Sequence, residues 1–254
     1  RRNVRLIEKE HRLRLFIKMQ GRGGFYLEGY DTRQFEKDMI QLGIELSALQ
    51  LDQFIRYYEM LVKWNEVMNL TAVTEYNQVL KKHFVDSASL VRAYNPKESE
   101  NMIDIGTGAG FPGLVLKIVF PKMRITLLDS LNKRIQFLNA VTEELNLQGI
   151  SVLHGRAEDF ARKEQMRENF DLCVSRAVAN LSTLSEYCIP FVKPGGKFVS
   201  YKSEKVLEEV AAAQNALKML GGKIVKQVSF YLPDSDIYRN LVVIEKIKET
   251  PKKF

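Results

Sequence analysis

A glycine-rich turn constrains this chain more than any other feature. The run Asp104-Ile105-Gly106-Thr107-Gly108-Ala109-Gly110-Phe111-Pro112-Gly113 follows the apolar pair Met102-Ile103 and opens into a helical pattern. Glycine is needed where a strand turns tightly into a helix and leaves bare backbone open to a ligand. Strand, glycine loop and helix in that order make a nucleotide-cofactor site. They also place the chain among α/β folds. From residue 97 onward, short apolar runs near 101–105, 124–128, 150–154, 170–175 and 196–201 alternate with helical stretches near 112–120, 131–146, 180–190 and 203–220. That alternation implies parallel βαβ units. Two last runs, 223–231 and 238–247, have no helix between them and read as an antiparallel pair, which gives seven strands.

Upstream the periodicity is helical. Asp31 or Thr32 can cap a first helix, and Ser47 opens a second with Leu51, Phe54, Tyr58, Leu61 and Val62 on one face. Thr74 can cap a third, with Val79, Val85, Ala88 and Val91 apolar and Pro96 ending it. The expected organisation is a basic arm over 1–29, disordered or dispensable, a helical subdomain over 30–96 and an α/β domain over 97–254. The arm carries most of the charge: residues 1–22 hold eight Arg/Lys against Glu8 and Glu10, while the whole chain is only +7. The body is therefore near neutral. With 27% charged residues, mean hydropathy of -0.20 and no apolar run of transmembrane length, a membrane protein is not expected. Cys173 and Cys188 lack C-x-x-C spacing, and His11, His83 and His154 lack metal spacing, so a reducing cytoplasm and no metal are expected.

The acids around the loop narrow the cofactor. Gly108-Ala109-Gly110-Phe111-Pro112-Gly113 satisfies the dinucleotide fingerprint G-x-G-x-x-G, a weak match when alone. Asp104 argues otherwise, because an acid just before the loop has no purpose beside a pyrophosphate. It suits a positively charged cofactor without phosphate, S-adenosylmethionine. Asp129 ends the next apolar strand, where a carboxylate accepts hydrogen bonds from ribose hydroxyls. The third strand leads into Gly155-Arg156-Ala157-Glu158-Asp159, a turn placed to read adenine or to cap the following helix.

Six stretches in order carry a resemblance: Trp64-Asn65 with Asn69-Leu70-Thr71, His83-Phe84-Val85-Asp86-Ser87, the glycine loop, Asp129-Ser130-Leu131-Asn132-Lys133-Arg134, Gly155-Arg156-Ala157-Glu158, and Ser175-Arg176-Ala177-Val178-Ala179. Together they resemble the RsmG family, also called glucose-inhibited division protein B. The likeness runs from about residue 30 to residue 254. It implies a Rossmann-like, seven-stranded class I fold that uses S-adenosylmethionine to methylate guanine N7 in a loop of 16S ribosomal RNA, with small-subunit rRNA or the 30S subunit as partner; a monomer is expected, though no sequence feature addresses it. It also implies cofactor contacts from Gly106, Phe111, Ala157, Glu158 and Arg176, to which the residues themselves add Asp104, Gly108 and Asp129. A methyltransferase for a small molecule or protein, an NAD-dependent oxidoreductase and a non-catalytic RNA binder are the alternatives.

Guanine N7 carries an in-plane lone pair and no proton, so its methylation needs no general base and no catalytic side chain is assigned. His83 and Asp86, three apart on an expected helix, read as a local hydrogen-bonded pair, structural or RNA-positioning. Lys81, Lys82, Lys133, Arg134, Lys202, Lys252 and Lys253 are candidate RNA contacts. Phe111 is a candidate stacking aromatic, and Trp64 and Tyr57 are expected in the core.

Overall fold

The computed structural model describes residues 26–27, 29–203 and 206–254. Of the arm expected over 1–29, only 26–27 and 29 are described, and there Tyr26–Leu27 pairs antiparallel with Tyr30–Asp31 instead of standing apart; the rest of the arm and His11 lie outside these residues. Helix α1 (Arg33–Gln41) and helix α2 (Ala48–Met68) come first. Ser47 caps α2 through a capping box: its hydroxyl accepts from Gln50 N, and Gln50 Oε1 accepts from Ser47 N. The composite helix α3 follows. Tyr76–Val79 is α-helical, Leu80–Val85 is wound as a π-helix, Asp86–Ala88 returns to α, and Ser89–Arg92 closes as a 3-10 turn. Its cap is Glu75, whose carboxylate accepts from Asn77 N and Gln78 N, rather than the expected Thr74. It ends four residues before Pro96.

The strands are β1 (Asn101–Ile105), β2 (Arg124–Asp129), β3 (Ile150–His154), β4 (Phe170–Arg176), β5 (Val192–Lys202), β6 (Gly222–Tyr231) and β7 (Tyr238–Lys246). They form one sheet in the order β3-β2-β1-β4-β5-β7-β6. The first five are parallel, and β7 pairs antiparallel with both β5 and β6. Helices α4 (Gly113–Val119), α5 (Asn132–Glu144), α6 (Ala157–Phe160), α7 (Leu181–Cys188) and α8 (Val206–Leu220) fill the connections. The strand order reverses between β1 and β4, the switch point at which such sheets open a crevice beyond their carboxyl ends.

Both faces are covered, which is why the central strands are mostly apolar and buried up to their polar carboxyl ends. On one face Phe35, Phe54, Tyr57, Leu61 and Phe84 of α1–α3 share a core with Leu116 of α4 and Phe137 of α5. On the other, α7 and α8 bury Leu184, Leu217 and Cys173 with Phe198 and Ile244. In α2 the buried stripe is Leu51, Phe54, Ile55, Tyr57 and Leu61; the expected Tyr58 and Val62 stand at its half-buried edge. Trp64 meets Phe137 edge-on at 5.7 Å, in the core as expected. Among the described residues no helix is long and apolar enough to cross a membrane.

Candidate active site

The carboxyl ends of β3, β2, β1 and β4 bring the marked residues into one row. At the β1 end, Gly106 and Gly108 take φ of +69° and +63°, the left-handed region that side chains disfavour. A Cβ on Gly106 would stand 2.5 Å from Val178 Cγ2, in the loop after β4, whereas one on Gly108 would meet nothing within 4 Å. The loop is thus closed on one side by Val178 and presents open backbone at Gly108.

Asp104 faces into this loop. Its Oδ2 accepts from Gly113 N at 2.8 Å, so it ties the last strand residues to the first turn of α4. The carboxyl is fully buried, and burial pushes it up to about 7 against the pull of the Thr107 hydroxyl and the Gly113 N–H. The structure therefore places it beneath the glycine backbone, not on the open face that a charge pairing with a cofactor requires.

Asp129 lies next to it, at the end of β2. Oδ2 accepts from Gly108 N at 2.9 Å and Oδ1 from Leu131 N at 3.0 Å, and Arg134 Nη1 closes on Oδ2 at 3.1 Å. One acid thus joins the glycine loop to the start of α5. Gly155 N donates to Asp129 O at 3.0 Å, which sets the β3 end alongside. Here Arg156 stands at the N-cap position of α6 without a side-chain capping bond, Ala157 begins the helix and Glu158 is exposed in its first turn.

The fourth group stands across the switch point. Arg176, the last residue of β4, places its guanidinium 5.1 Å from the Phe111 ring centre and donates from Nη1 to Asp86 Oδ2 (3.0 Å) and Lys82 O (3.3 Å). Arg239 of β7 donates from Nε to Asp86 Oδ1 at 2.9 Å. His83 stacks on Phe111 with ring centres 4.5 Å apart, and its Nε2 lies 2.8 Å from Thr71 Oγ1. Burial, helped by the Arg176 charge, lowers the imidazole to about 4 and keeps it neutral near pH 7. His83 and Asp86 therefore do not pair with each other as expected: each reaches a distant partner, because the π-helical turn between them breaks the ordinary helical register. Phe111 is enclosed by His83, Tyr57 and Arg176, so its ring is committed to the protein; the Tyr57 hydroxyl donates to Ala109 O.

Several expected RNA contacts are tied down. Lys81 pairs with buried Asp38, Lys133 donates to Met68 O, and Lys202 is buried on Ala179 O and Glu209. Lys82, Lys252 and Lys253 are exposed. Sequence reasoning passed over Arg239, because a single arginine in an apolar strand carries no local signal. His154 Nε2 lies 3.1 Å from Ser130 O, and among the described residues no group of three or more His, Cys, Asp or Glu is placed to hold a metal.

Comparison with known proteins agrees with this geometry. Residues 50–238 match the family model GidB, described as rRNA small subunit methyltransferase G. A ribosomal RNA small subunit methyltransferase G of Lachnoclostridium phytofermentans is 52% identical over 88% of this chain and 93% of its own, and one of Lactococcus lactis is 48% identical over 87% and 93%. Among solved structures, a complex of the Haloferax volcanii Trm112 activator with a methyltransferase aligns with TM-score 0.54 at 17% identity, over 74% of this chain and 97% of that one. A SAM-dependent methyltransferase from Aquifex aeolicus aligns at 0.50 and 17%, over 67% and 94%. At those identities the structures speak for the fold, and the sequence relatives carry the rest: this chain belongs to the rRNA small subunit methyltransferase G family.

Proposed function

We infer that the chain transfers a methyl group from S-adenosylmethionine to N7 of a guanine in 16S ribosomal RNA. The observation that carries this reading is the open Gly108 backbone beside Asp129 in the switch-point crevice of a chain of this family. The residues fit the cofactor. Bare backbone at Gly108 admits a flat ligand while Gly106 is covered by Val178, Asp129 would take ribose hydroxyls in place of the Arg134 donor, and Ala157 with Glu158 would border the adenine. Phe111 serves through its backbone, because its ring is buried. Asp104 braces the loop from below.

Bound S-adenosylmethionine supplies an electrophilic methyl carbon on a sulfonium. The acceptor guanine N7 would supply its own lone pair and carries no proton, so the transfer would ask no side chain of this chain to move one. The surroundings agree with that need. His83 is neutral and held by Thr71, and Asp104 is turned inward, so neither acts as a base toward the acceptor. The chain's contribution is alignment: it holds donor and acceptor in line, from which much of the rate arises.

The test is transfer of a labelled methyl group to small-subunit rRNA from cells lacking the modification, with nucleoside analysis of the product. Label in 7-methylguanosine is expected. Label in a metabolite or protein, with rRNA untouched, would overturn the substrate.

A further inference from the structure

The Asp86 cluster holds more positive charge than its own architecture uses. Asp86 is buried and singly negative, yet it receives guanidiniums from Arg176 of β4 and Arg239 of β7, strands separated in the sheet by β5. One positive charge is left over. Their donors are also incompletely used. Arg176 spends Nη1 on Asp86 and Lys82 O; Arg239 spends Nε on Asp86 and Nη1 on Tyr238 O. Among the described residues, Nη2 of both arginines has no hydrogen-bond partner. Neither Nη2 is among the fully buried unpartnered atoms, so these free donors of a fixed guanidinium pair open toward solvent, where an anion can reach them.

The two arginines face different ways. Arg176 lies over Phe111 against the glycine loop and is 13% exposed, whereas Arg239 is 24% exposed, on the far side of the shared carboxylate. Arg176 thus belongs to the glycine-loop side and Arg239 to the more exposed side of the shared carboxylate. A planar fork with free N–H groups matches phosphate oxygens. We propose that Arg239 contacts a backbone phosphate of the RNA next to the acceptor guanine, and that Asp86 holds it in register with Arg176. This rests on the substrate reading above. Asp86 is then a positioning residue: it touches neither substrate but fixes the spacing between the groups that do.

The test compares wild type, Arg239→Gln and Arg239→Lys, using small ribosomal subunits and deproteinised small-subunit rRNA from cells lacking the modification. Calorimetry with S-adenosylhomocysteine reports the cofactor side. Arg239→Gln is expected to raise the KM for RNA about tenfold. It should also flatten the slope of log affinity against log salt by about 0.7, the loss of one phosphate contact on a single strand. Affinity for S-adenosylhomocysteine should stay within twofold of wild type, and Arg239→Lys should recover the salt slope. An unchanged slope in Arg239→Gln, or a loss of S-adenosylhomocysteine affinity matching the RNA defect, overturns the assignment while leaving the substrate intact. A wild type that binds neither RNA preparation overturns both.

Discussion

At the end of the sheet away from the crevice, Lys246 gives its ammonium to Glu168 Oε1 (2.9 Å), Ile189 O (2.9 Å) and Thr250 Oγ1 (2.7 Å). At the crevice end, Asp86 holds two guanidiniums whose Nη2 groups are unpaired among the described residues. Both clusters bury charge in strands of the same half of the sheet. The lower one is complete: its three ammonium donors are used, Glu168 Oε1 also takes Thr250 N, and Arg167 fastens the last residues through the carbonyls of Thr250, Pro251 and Phe254. The upper one is unfinished. Completion marks a structural charge, and unused donors at strand ends mark a place kept for something else.

The comparison is sharpest if the two clusters fail in different ways. Lys246→Met leaves Glu168 without its cation, and urea denaturation should show a loss of about 3–5 kcal/mol, with S-adenosylhomocysteine affinity of the folded fraction unchanged. Asp86→Asn leaves two guanidiniums without their counter-ion and should lose a similar amount, about 3–5 kcal/mol. Unlike Lys246→Met, its turnover per folded molecule should also fall about hundredfold through lost alignment. Equal activity per folded molecule in the two variants would break the contrast.

A third variant asks what the buried acid of the loop contributes. The Asp104 carboxyl is raised to about 7 by burial, so the folded chain retains a proton that the unfolded chain releases near pH 4. The wild type therefore loses stability as pH rises from about 4 to 7. Asp104→Asn escapes this loss and keeps an acceptor for Gly113 N. Its advantage in melting experiments should grow by about 2 kcal/mol between pH 5 and pH 7. An advantage independent of pH would mean that the carboxyl is ionised throughout. The smallest effect belongs to a site remote from both clusters: Ser47→Ala removes the α2 cap and should cost about 1 kcal/mol without changing turnover.

Much of this was legible in the sequence, and the reasons differ by level. The seven strands of the main sheet stand where apolar runs announced them, the central ones because strands buried on both faces need apolar side chains, whereas the short pair Tyr26–Leu27 and Tyr30–Asp31 carried no such signal. Ser47 was legible because its partner Gln50 is three residues away. Signals of that range are printed in the chain. Thr74 and Glu75 compete as neighbouring caps, and only the backbone path decides for Glu75. The inward turn of Asp104 depends on how closely α4 approaches β1, and the capture of Lys81, Lys133 and Lys202 depends on partners 23 to 152 residues away; no local pattern encodes these. The same holds for Arg239, which reaches Asp86 across 153 residues.

The π-helical turn of α3 has a consequence for any realignment of this segment. Each residue of an α-helix turns the chain by about 100°. A π turn can be regarded as an α-helix into which one residue has been inserted, so everything beyond Val85 is rotated in phase relative to what precedes Leu80. Deleting a single residue within 80–85 would restore ordinary winding, keep the helix and its composition, and swing Asp86 away from both arginines. Angular phase, carried by one surplus residue, is what joins the amino-terminal helices to the chemistry of the sheet.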